Sequence, residues 1–152
     1  MKKLFLFVAV AALTISLNSC SSSGSGGSSP GGTLTAKING VAKTFNTVVV
    51  NENVQNAGTV DEYTELTVTG AIGTSTTEII TFNLDKGDLG SNAIYYFTYT
   101  KDGEFYQGTS MATNVTTNSN GKKLVGNFSG DVTNNSFTNT LTFTEGSFNI
   151  QY

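Results

Sequence analysis

Apolar and polar residues alternate along most of the chain beyond residue 33. The clearest runs of this pattern occupy residues 34–38, 66–72, 80–84, 124–132 and 148–152. Successive side chains of a β-strand point to opposite faces, so a period of two predicts strands with one buried and one exposed face. We therefore expect a chain built from short, half-buried strands.

Asn-Gly and Asp-Gly pairs separate several of these runs, at residues 39–40, 102–103 and 120–121. Such pairs favour the tight turns of β-hairpins because both residues tolerate a positive φ. The first pair predicts a hairpin in which Ile38 faces Val41 and Leu34 faces Phe45. The second predicts an ion pair, an aromatic pair and an aromatic residue over a glycine: Lys101–Glu104, Tyr99–Tyr106 and Phe97–Gly108.

Together these elements predict an all-β protein. Eight or nine short strands with short connections favour an antiparallel two-layer β-sandwich. An up-and-down, lipocalin-like barrel is the alternative, because consecutive hairpins also close a barrel. Residues 51–64 are polar and aperiodic and predict one long loop. The alternation continues to Tyr152, so the C-terminus should be part of a sheet.

The composition favours strands and excludes several kinds of chemistry. The chain has 24 Thr, 16 Asn and 17 Gly residues, and it has no His, Trp or Arg. Thr is common in strands, and Gly and Asn are common in tight turns. Without His, the chain has neither a Ser-His-Asp triad nor the commonest zinc ligand. Without Arg, it lacks the side chain that binds phosphate through two parallel hydrogen bonds.

The charge balance argues against nucleic acid as a partner. The formal net charge is −3, and the chain without Lys2 and Lys3 carries six Lys against 11 acids, a net charge of −5. A mildly acidic domain lacks the basic surface that binds a phosphate backbone. We therefore expect no nucleic-acid partner.

Residues 1–19 have the three parts of a secretory signal peptide. Lys2 and Lys3 provide the positive end, residues 4–17 form an apolar core of 14 residues, and a short polar exit ends at Cys20. The apolar run is shorter than the roughly 20 residues that span a bilayer. The segment is therefore expected to direct export and then to be removed.

The exit of this segment resembles the lipobox of bacterial lipoproteins, in which a branched apolar residue and two small residues precede a cysteine. Leu17 stands three positions before Cys20 and Ser19 one position before it, while Asn18 departs from the usual small residue. The resemblance implies cleavage after Ser19, a thioether-linked diacylglycerol on Cys20, and an acyl chain such as palmitate on the new amino group. Two or more acyl chains anchor a protein stably. An ordinary signal peptide with an unmodified thiol is the alternative.

Residues 20–32 combine this cysteine with a segment of Ser and Gly, and residues 33–152 then form a single β-domain. Twelve residues of Ser and Gly composition, 21–32, predict a flexible linker with an average reach of about 20 Å. The lipoprotein resemblance implies a Gram-negative cell envelope and an anchor in the outer membrane. Because no acidic cluster follows Cys20, the periplasmic face is favoured over the cell surface.

Acidic residues form two groups in predicted loops or beside them: Asp61, Glu62 and Glu65, then Asp85 and Asp88. Paired carboxylates can hydrolyse glycosides, and carboxylate oxygens can coordinate calcium. Neither group has the residue spacing of an EF-hand. The sequence therefore favours solvated acids and assigns no catalytic residue, metal or cofactor.

Aromatic residues crowd the hairpin around residue 102: Tyr95, Tyr96, Tyr99, Phe105 and Tyr106. Alternation places Tyr95, Phe97 and Tyr99 on one face and Tyr96 on the other. Exposed tyrosines stack on sugars or contact proteins, which makes Tyr96, Tyr99 and Tyr106 a candidate contact surface. The same residues are also explained if one face packs in the core and the other reflects ordinary strand propensity. We favour this second interpretation over a contact surface.

Residues 35–45, 124–132 and 141–150 are similar to segments of small β-rich envelope lipoproteins of Gram-negative bacteria. The shared motifs are an NG turn, a G-x-F-x-G strand and a G-x-F terminal strand. The resemblance implies a β-rich fold and transfers no catalytic residue. We therefore expect a lipid-anchored, non-enzymatic binding or structural domain that contacts a glycan or an envelope protein. A glycan hydrolase that uses the loop acids and a lipocalin-like carrier are the alternatives.

Overall fold

The computed structural model describes residues 31–74 and 77–152. The regular elements of these residues are ten β-strands: β1 (Gly32–Ile38), β2 (Val41–Phe45), β3 (Thr47–Gln55), β4 (Tyr63–Ala71), β5 (Glu78–Asp85), β6 (Gly90–Ser91), β7 (Ile94–Lys101), β8 (Glu104–Ser119), β9 (Lys123–Asn134) and β10 (Thr140–Gln151). The predicted all-β class is confirmed. Within the same residues, no helix is long and apolar enough to cross a membrane.

All ten strands belong to one antiparallel sheet with the order β2-β1-β10-β9-β8-β7-β5-β4-β3, and β6 pairs with β8. From β3 to β10 each strand lies beside the next strand of the chain, apart from the two-residue β6. The first strand, β1, then pairs with the last, β10. A meander whose first and last strands pair has the connectivity of an up-and-down barrel.

The two edges of the sheet are consecutive in the chain. Only Asn46 separates β2 from β3, yet Phe45 pairs with Leu34 of β1 and Thr47 pairs with Ala71 of β4. The chain therefore changes its pairing partner at Asn46. The side-chain oxygen of Asn46 accepts a hydrogen bond from the backbone N–H of Gly73 at 2.6 Å, which fixes the bend to the β4–β5 turn. This bend brings the edges together and curls the sheet around a single core.

Aromatic rings fill the space inside the curled sheet. Phe82 on β5 contacts Phe148 on β10, with ring centroids 5.1 Å apart, although three strands separate β5 from β10 in the sheet. Phe97 on β7 similarly contacts Phe128 and Phe143, at 5.1 and 5.6 Å. Opposite walls therefore face each other across a shared core, as in a sandwich, but one continuous sheet supplies both walls.

The predicted hairpins are confirmed in detail. Ile38 pairs with Val41 across the turn at residues 39–40, where Asn39 and Gly40 both have positive φ. The pairs Leu34–Phe45 and Tyr99–Tyr106 also form as expected. Lys101 is opposite Glu104 in the register, but the predicted ion pair between them is wrong, since no salt bridge joins these two described residues. Gly108 lies beside Phe97, since a β-carbon on this glycine would be 3.3 Å from the Phe97 β-carbon. The turn chemistry therefore sets the register.

The predicted long loop at residues 51–64 is wrong. β3 continues to Gln55 and β4 begins at Tyr63, so only residues 56–62 connect them. Residues 51–55 are polar apart from Val54 because they belong to the end of an edge strand, where both faces are partly in contact with water. The sequence did not predict this part of β3, because a strand segment without a buried face has no alternation of apolar and polar residues.

Candidate functional site

The aromatic rings of the candidate contact surface divide between core and surface. Tyr96 is 39 % exposed on the outer face of β7, whereas Tyr99 and Tyr106 are only 1 and 3 % exposed. The placement of Tyr99 and Tyr106 on a contact surface is therefore corrected: both rings belong to the core. Their hydroxyl groups, however, reach the open end of the curled sheet.

The predicted placement of Tyr95 on the face of Phe97 is also wrong. Asn83 pairs with Tyr96, and the next residue of β5, Leu84, pairs with Ile94, so Tyr95 is an extra residue on β7. Such a β-bulge shifts the alternation by one position. Tyr95 consequently points outward, where its hydroxyl donates a hydrogen bond to Glu65 at 2.6 Å.

A cleft opens at the end of the sheet that contains the 39–40 turn, the start of β5 and the end of β7. Its volume is about 190 Å³. The apolar part of its lining consists of Ile38, Val41 and Leu141. The polar part contains three charged side chains and a hydroxyl group: Lys43, Glu78, Lys101 and Tyr99. Apolar side chains beside a few converging polar groups are typical of ligand sites, although this cleft is smaller than the roughly 300 Å³ of most of them.

Glu78 is the centre of the polar part. Its carboxylate accepts a hydrogen bond from the Tyr99 hydroxyl at 2.5 Å and lies 3.1 Å from the Lys43 ammonium. The Glu78 side chain is 15 % exposed. Burial of the Tyr99 hydroxyl and its hydrogen bond to Glu78 both raise the pKa of Tyr99 above its usual value. The Glu78 carboxylate is therefore held in place by two donors, the Tyr99 hydroxyl and the Lys43 ammonium.

Lys101 supplies a second cation to the cleft. It is directly opposite Glu78 in the register of β5 and β7, but its ammonium forms no salt bridge with any described residue. Lys43, by contrast, is already bound to Glu78. Lys101 is thus the cation of the cleft that is free to bind an anionic group.

A second hydrogen-bond network lies around the Tyr106 hydroxyl. This hydroxyl donates to Glu104 at 2.6 Å and accepts from the side-chain amide of Asn139 at 2.9 Å. The Asn134 amide donates to the other oxygen of Glu104 at 2.7 Å. The hydrogen bonds from Tyr106 and Asn134 lower the pKa of Glu104. The network joins the ends of β8, β9 and β10 and has a structural role.

One acid of the first candidate group, Glu65, lies beside the second group at the opposite end of the sheet. Glu65 is directly opposite Asp85 in the register of β4 and β5. Burial raises the pKa of Asp85, and the charges of Asp88 and Glu65 raise it further. The Asn118 amide fixes this loop by donating to the backbone oxygens of Asp85 and Asp88, at 2.8 and 3.1 Å. Among the residues that the structure describes, no three acidic, His or Cys side chains are grouped so that they could hold a metal ion.

Sequence reasoning missed Lys43, Glu78 and Lys101. A signal was present, since each charge occupies an inward position of an alternating strand: Glu78 precedes Ile80 by two residues, and Lys101 follows Tyr99 by two. Inward charges at strand ends mark a polar opening of a core. Their convergence depends on the closure of the sheet, which the sequence pattern does not specify.

Cys20 and the cleavage position after Ser19 lie outside the described residues. No protein-family model matches the chain, and no curated protein or solved structure matches it significantly.

Proposed function

We propose that this chain is a lipoprotein of the Gram-negative cell envelope, anchored in the outer membrane through acyl chains on Cys20, and that its β-domain is a non-enzymatic binding module. The sequence motif at Leu17, Ser19 and Cys20 supports the anchor. The cleft that contains Lys101 is the proposed binding site of the domain.

The position of the cleft relative to the anchor carries this proposal. β1 begins at Gly32, the last residue of the predicted linker, and ends at Ile38, which lines the cleft. The attachment point and the cleft are therefore at opposite ends of the same strand. A tether at one end leaves a site at the other end accessible to ligands or partners.

The chemistry of the cleft favours a ligand with a carboxylate beside a small apolar part. Lys101 offers an ammonium group without an ion pair, and Ile38, Val41 and Leu141 offer apolar contact. An acidic sugar and the C-terminus of a peptide both carry such a carboxylate. These are the forms in which a glycan or an envelope protein would present it.

The alternatives have less support. Hydrolysis of a glycoside needs two carboxyl groups that flank the scissile bond, and Glu78 is the only acid among the described residues that line the cleft. Glu65 and Asp85 do lie opposite each other, but they are at the other end of the sheet. A lipocalin-like carrier needs an apolar cavity, whereas Phe82, Phe97 and Phe128 occupy the interior.

Mass spectrometry and membrane fractionation test the anchor. We expect the mature chain to begin at Cys20, to carry the mass of a diacylglycerol and an amide-linked acyl chain, and to sediment with outer membranes. Cys20→Ser should abolish both the modification and the cleavage after Ser19. A mature chain with an unmodified thiol would contradict the anchor.

An NMR titration of the lipidated chain in detergent micelles tests the cleft. We expect butyrate and glucuronate to shift the backbone resonances of Ile38 and Lys101, and glucose to leave them unchanged. Lys101→Gln should weaken binding at least fivefold. Lys123→Gln is the matched control, since Lys123 is another exposed lysine without a salt bridge and lies at the other end of the sheet. Equal weakening by both substitutions would indicate nonspecific attraction and would overturn the assignment.

A further inference from the structure

Five exposed apolar side chains gather at the end of the sheet where β1 begins. Val60 is fully exposed in the β3–β4 loop, and Leu89 is exposed in the β5–β6 loop. Val54, Tyr63 and Tyr95 are exposed on the strand ends beside these loops. We call these five residues the proximal rim. Isolated exposed apolar residues are normal, but a group on one surface indicates an interaction site.

Backbone contacts connect this end of the sheet to the start of the folded domain. The N–H of Gln151 donates to the oxygen of Gly31 at 3.1 Å, and the N–H of Tyr152 donates to the oxygen of Lys122 at 2.8 Å. The Lys122 ammonium lies 3.5 Å from the carboxylate of Glu52 on β3. The attachment point of the linker therefore lies at the same end of the sheet as the C-terminal part of β3.

The same contacts continue to the loops of the proximal rim. Lys86 forms a salt bridge with Glu52 at 2.7 Å, and its N–H donates to the oxygen of Thr64 at 2.8 Å. The Tyr95 hydroxyl donates to Glu65. The β5–β6 loop, the start of β4 and the bulge of β7 are therefore held against one another, and their exposed apolar side chains lie at the same end of the sheet.

We propose that the proximal rim rests on the surface of a bilayer of zwitterionic phospholipid. The proposal depends on the lipid anchor at Cys20, from which 11 residues, 20–30, lead to Gly31. Lipid is the surface that this tether keeps closest to the start of β1. Tyr side chains suit such a surface because the ring is apolar and the hydroxyl is polar.

The charges of this end of the sheet select the type of lipid. Asp61, Glu62 and Asp88 are exposed in its loops. Two of its lysines, Lys86 and Lys122, are bound to Glu52, so that Lys123 is the one exposed lysine of this end without a salt bridge to any described residue. The resulting negative surface is repelled by anionic headgroups within about 10 Å at moderate salt. A neutral, zwitterionic surface avoids this repulsion.

Contact at the proximal rim also orients the domain. The cleft with Lys101 lies at the opposite end of β1 and then faces away from the bilayer. Both the anchor and the rim hold one end of the domain, so the other end is presented to the aqueous compartment.

Fluorescence quenching by brominated phosphatidylcholine tests the contact in the lipidated chain reconstituted into vesicles. Cys20 is the only natural cysteine, so Val60→Cys introduces one labelling site on the rim once the natural thiol carries lipid. Val41→Cys provides the matched site, since Val41 is an exposed valine at the cleft. We expect at least threefold stronger quenching for the label at residue 60 than for the label at residue 41.

Further variants separate the contact from the tether. Val54→Ser with Leu89→Ser should reduce quenching at residue 60 at least twofold, and mass spectrometry on the same sample verifies the lipid on Cys20. Equal quenching at residues 60 and 41 in a lipidated sample overturns the rim contact and leaves the anchor intact, whereas an unmodified Cys20 overturns the anchor itself. Equal or stronger quenching at residue 60 in anionic vesicles overturns the assignment to zwitterionic lipid.

Discussion

The ring of Phe148 on β10 lies over Gly126, its direct partner on β9. A β-carbon on Gly126 would lie 2.9 Å from Cε2 of this ring and 2.6 Å from the backbone oxygen of Asn114. Phe128 on β9 covers Gly146 on β10 in the same way. The two glycines thereby make room for two rings whose centroids are 6.5 Å apart. In the G-x-F motifs of β9 and β10, each glycine therefore makes room for the phenylalanine ring of the other strand.

Gly126→Ala should therefore destabilise the domain. The added methyl group must displace either the Phe148 ring or the backbone of β8, and such overpacking costs about 1–3 kcal/mol. The free energy of unfolding in urea measures this loss. Gly121→Ala is the control, because the nearest atom to a β-carbon there is the Ser119 hydroxyl at 3.6 Å. Equal unfolding free energies for the two variants would contradict the packing role of Gly126.

Lys43→Met should destabilise the domain through the carboxylate that it leaves behind. Glu78 is mostly buried, and without Lys43 the Tyr99 hydroxyl would be the one remaining hydrogen-bond donor to it among the described residues. Loss of a partner of a desolvated charged group costs about 1–3 kcal/mol. Urea unfolding at pH 7 measures the effect.

The exposed salt bridge between Lys37 and Glu145 provides the comparison, with 2.6 Å between its charged atoms. Exposed salt bridges contribute roughly 0–1 kcal/mol. Lys37→Met should therefore change stability less than Lys43→Met. The reverse order would show that Glu78 is well solvated in solution and would weaken the description of the cleft.

Local sequence signals were sufficient for most of the strands and several of their pairs. The positive φ values of Asn39, Gly40 and Asp102 follow from residue type, and each turn then determines the pairs beside it. The alternation from Leu66 onward identifies the buried face of β4 correctly. These features depend on residues that are close in sequence.

The remaining features depend on contacts between distant residues. The bulge at Tyr95 follows from the pairing of β7 with β5, and nothing in the local run of tyrosines specifies it. The bend at Asn46 depends on Gly73. The cleft combines Lys43, Glu78 and Lys101 from β2, β5 and β7, so it exists only once the sheet has curled. Strand identity was thus predictable, while the site required the closed fold.

Tyr99→Phe should make stability less sensitive to alkaline pH. The folded pKa of Tyr99 is raised above the ordinary value of 10.0, chiefly by burial and then by the hydrogen bond to Glu78. A raised folded pKa contributes stability below pH 10 that is lost as the pH rises through the folded pKa, because the unfolded chain ionises first. The difference in unfolding free energy between the natural chain and Tyr99→Phe should therefore shrink from pH 8 to pH 11.

Tyr96→Phe is the control for this alkaline effect, because Tyr96 is an exposed tyrosine on the same strand. The difference from the natural chain should shrink more for Tyr99→Phe than for Tyr96→Phe over the same pH range. If the two phenylalanine variants follow the same pH dependence, the Tyr99 hydroxyl is not held by Glu78 as described.

Asp85→Asn should stabilise the domain at neutral pH. Burial, followed by the charges of Asp88 and Glu65, raises the folded pKa of Asp85 above the ordinary value of 3.8. The folded state therefore favours the neutral carboxyl group, and the resulting stabilisation is present below pH 3.8 and lost as the pH rises through the folded pKa. The neutral amide avoids this loss, so the unfolding free energy of the variant should exceed that of the natural chain at pH 7 and converge with it at pH 3.

Asp61→Asn, at an exposed acid of the β3–β4 loop, should show a smaller gain in unfolding free energy at pH 7. A decrease in stability for Asp85→Asn at pH 7 would mean that the ionised carboxylate forms a favourable contact, and the repulsion of Asp85 by Asp88 and Glu65 would then have to be abandoned.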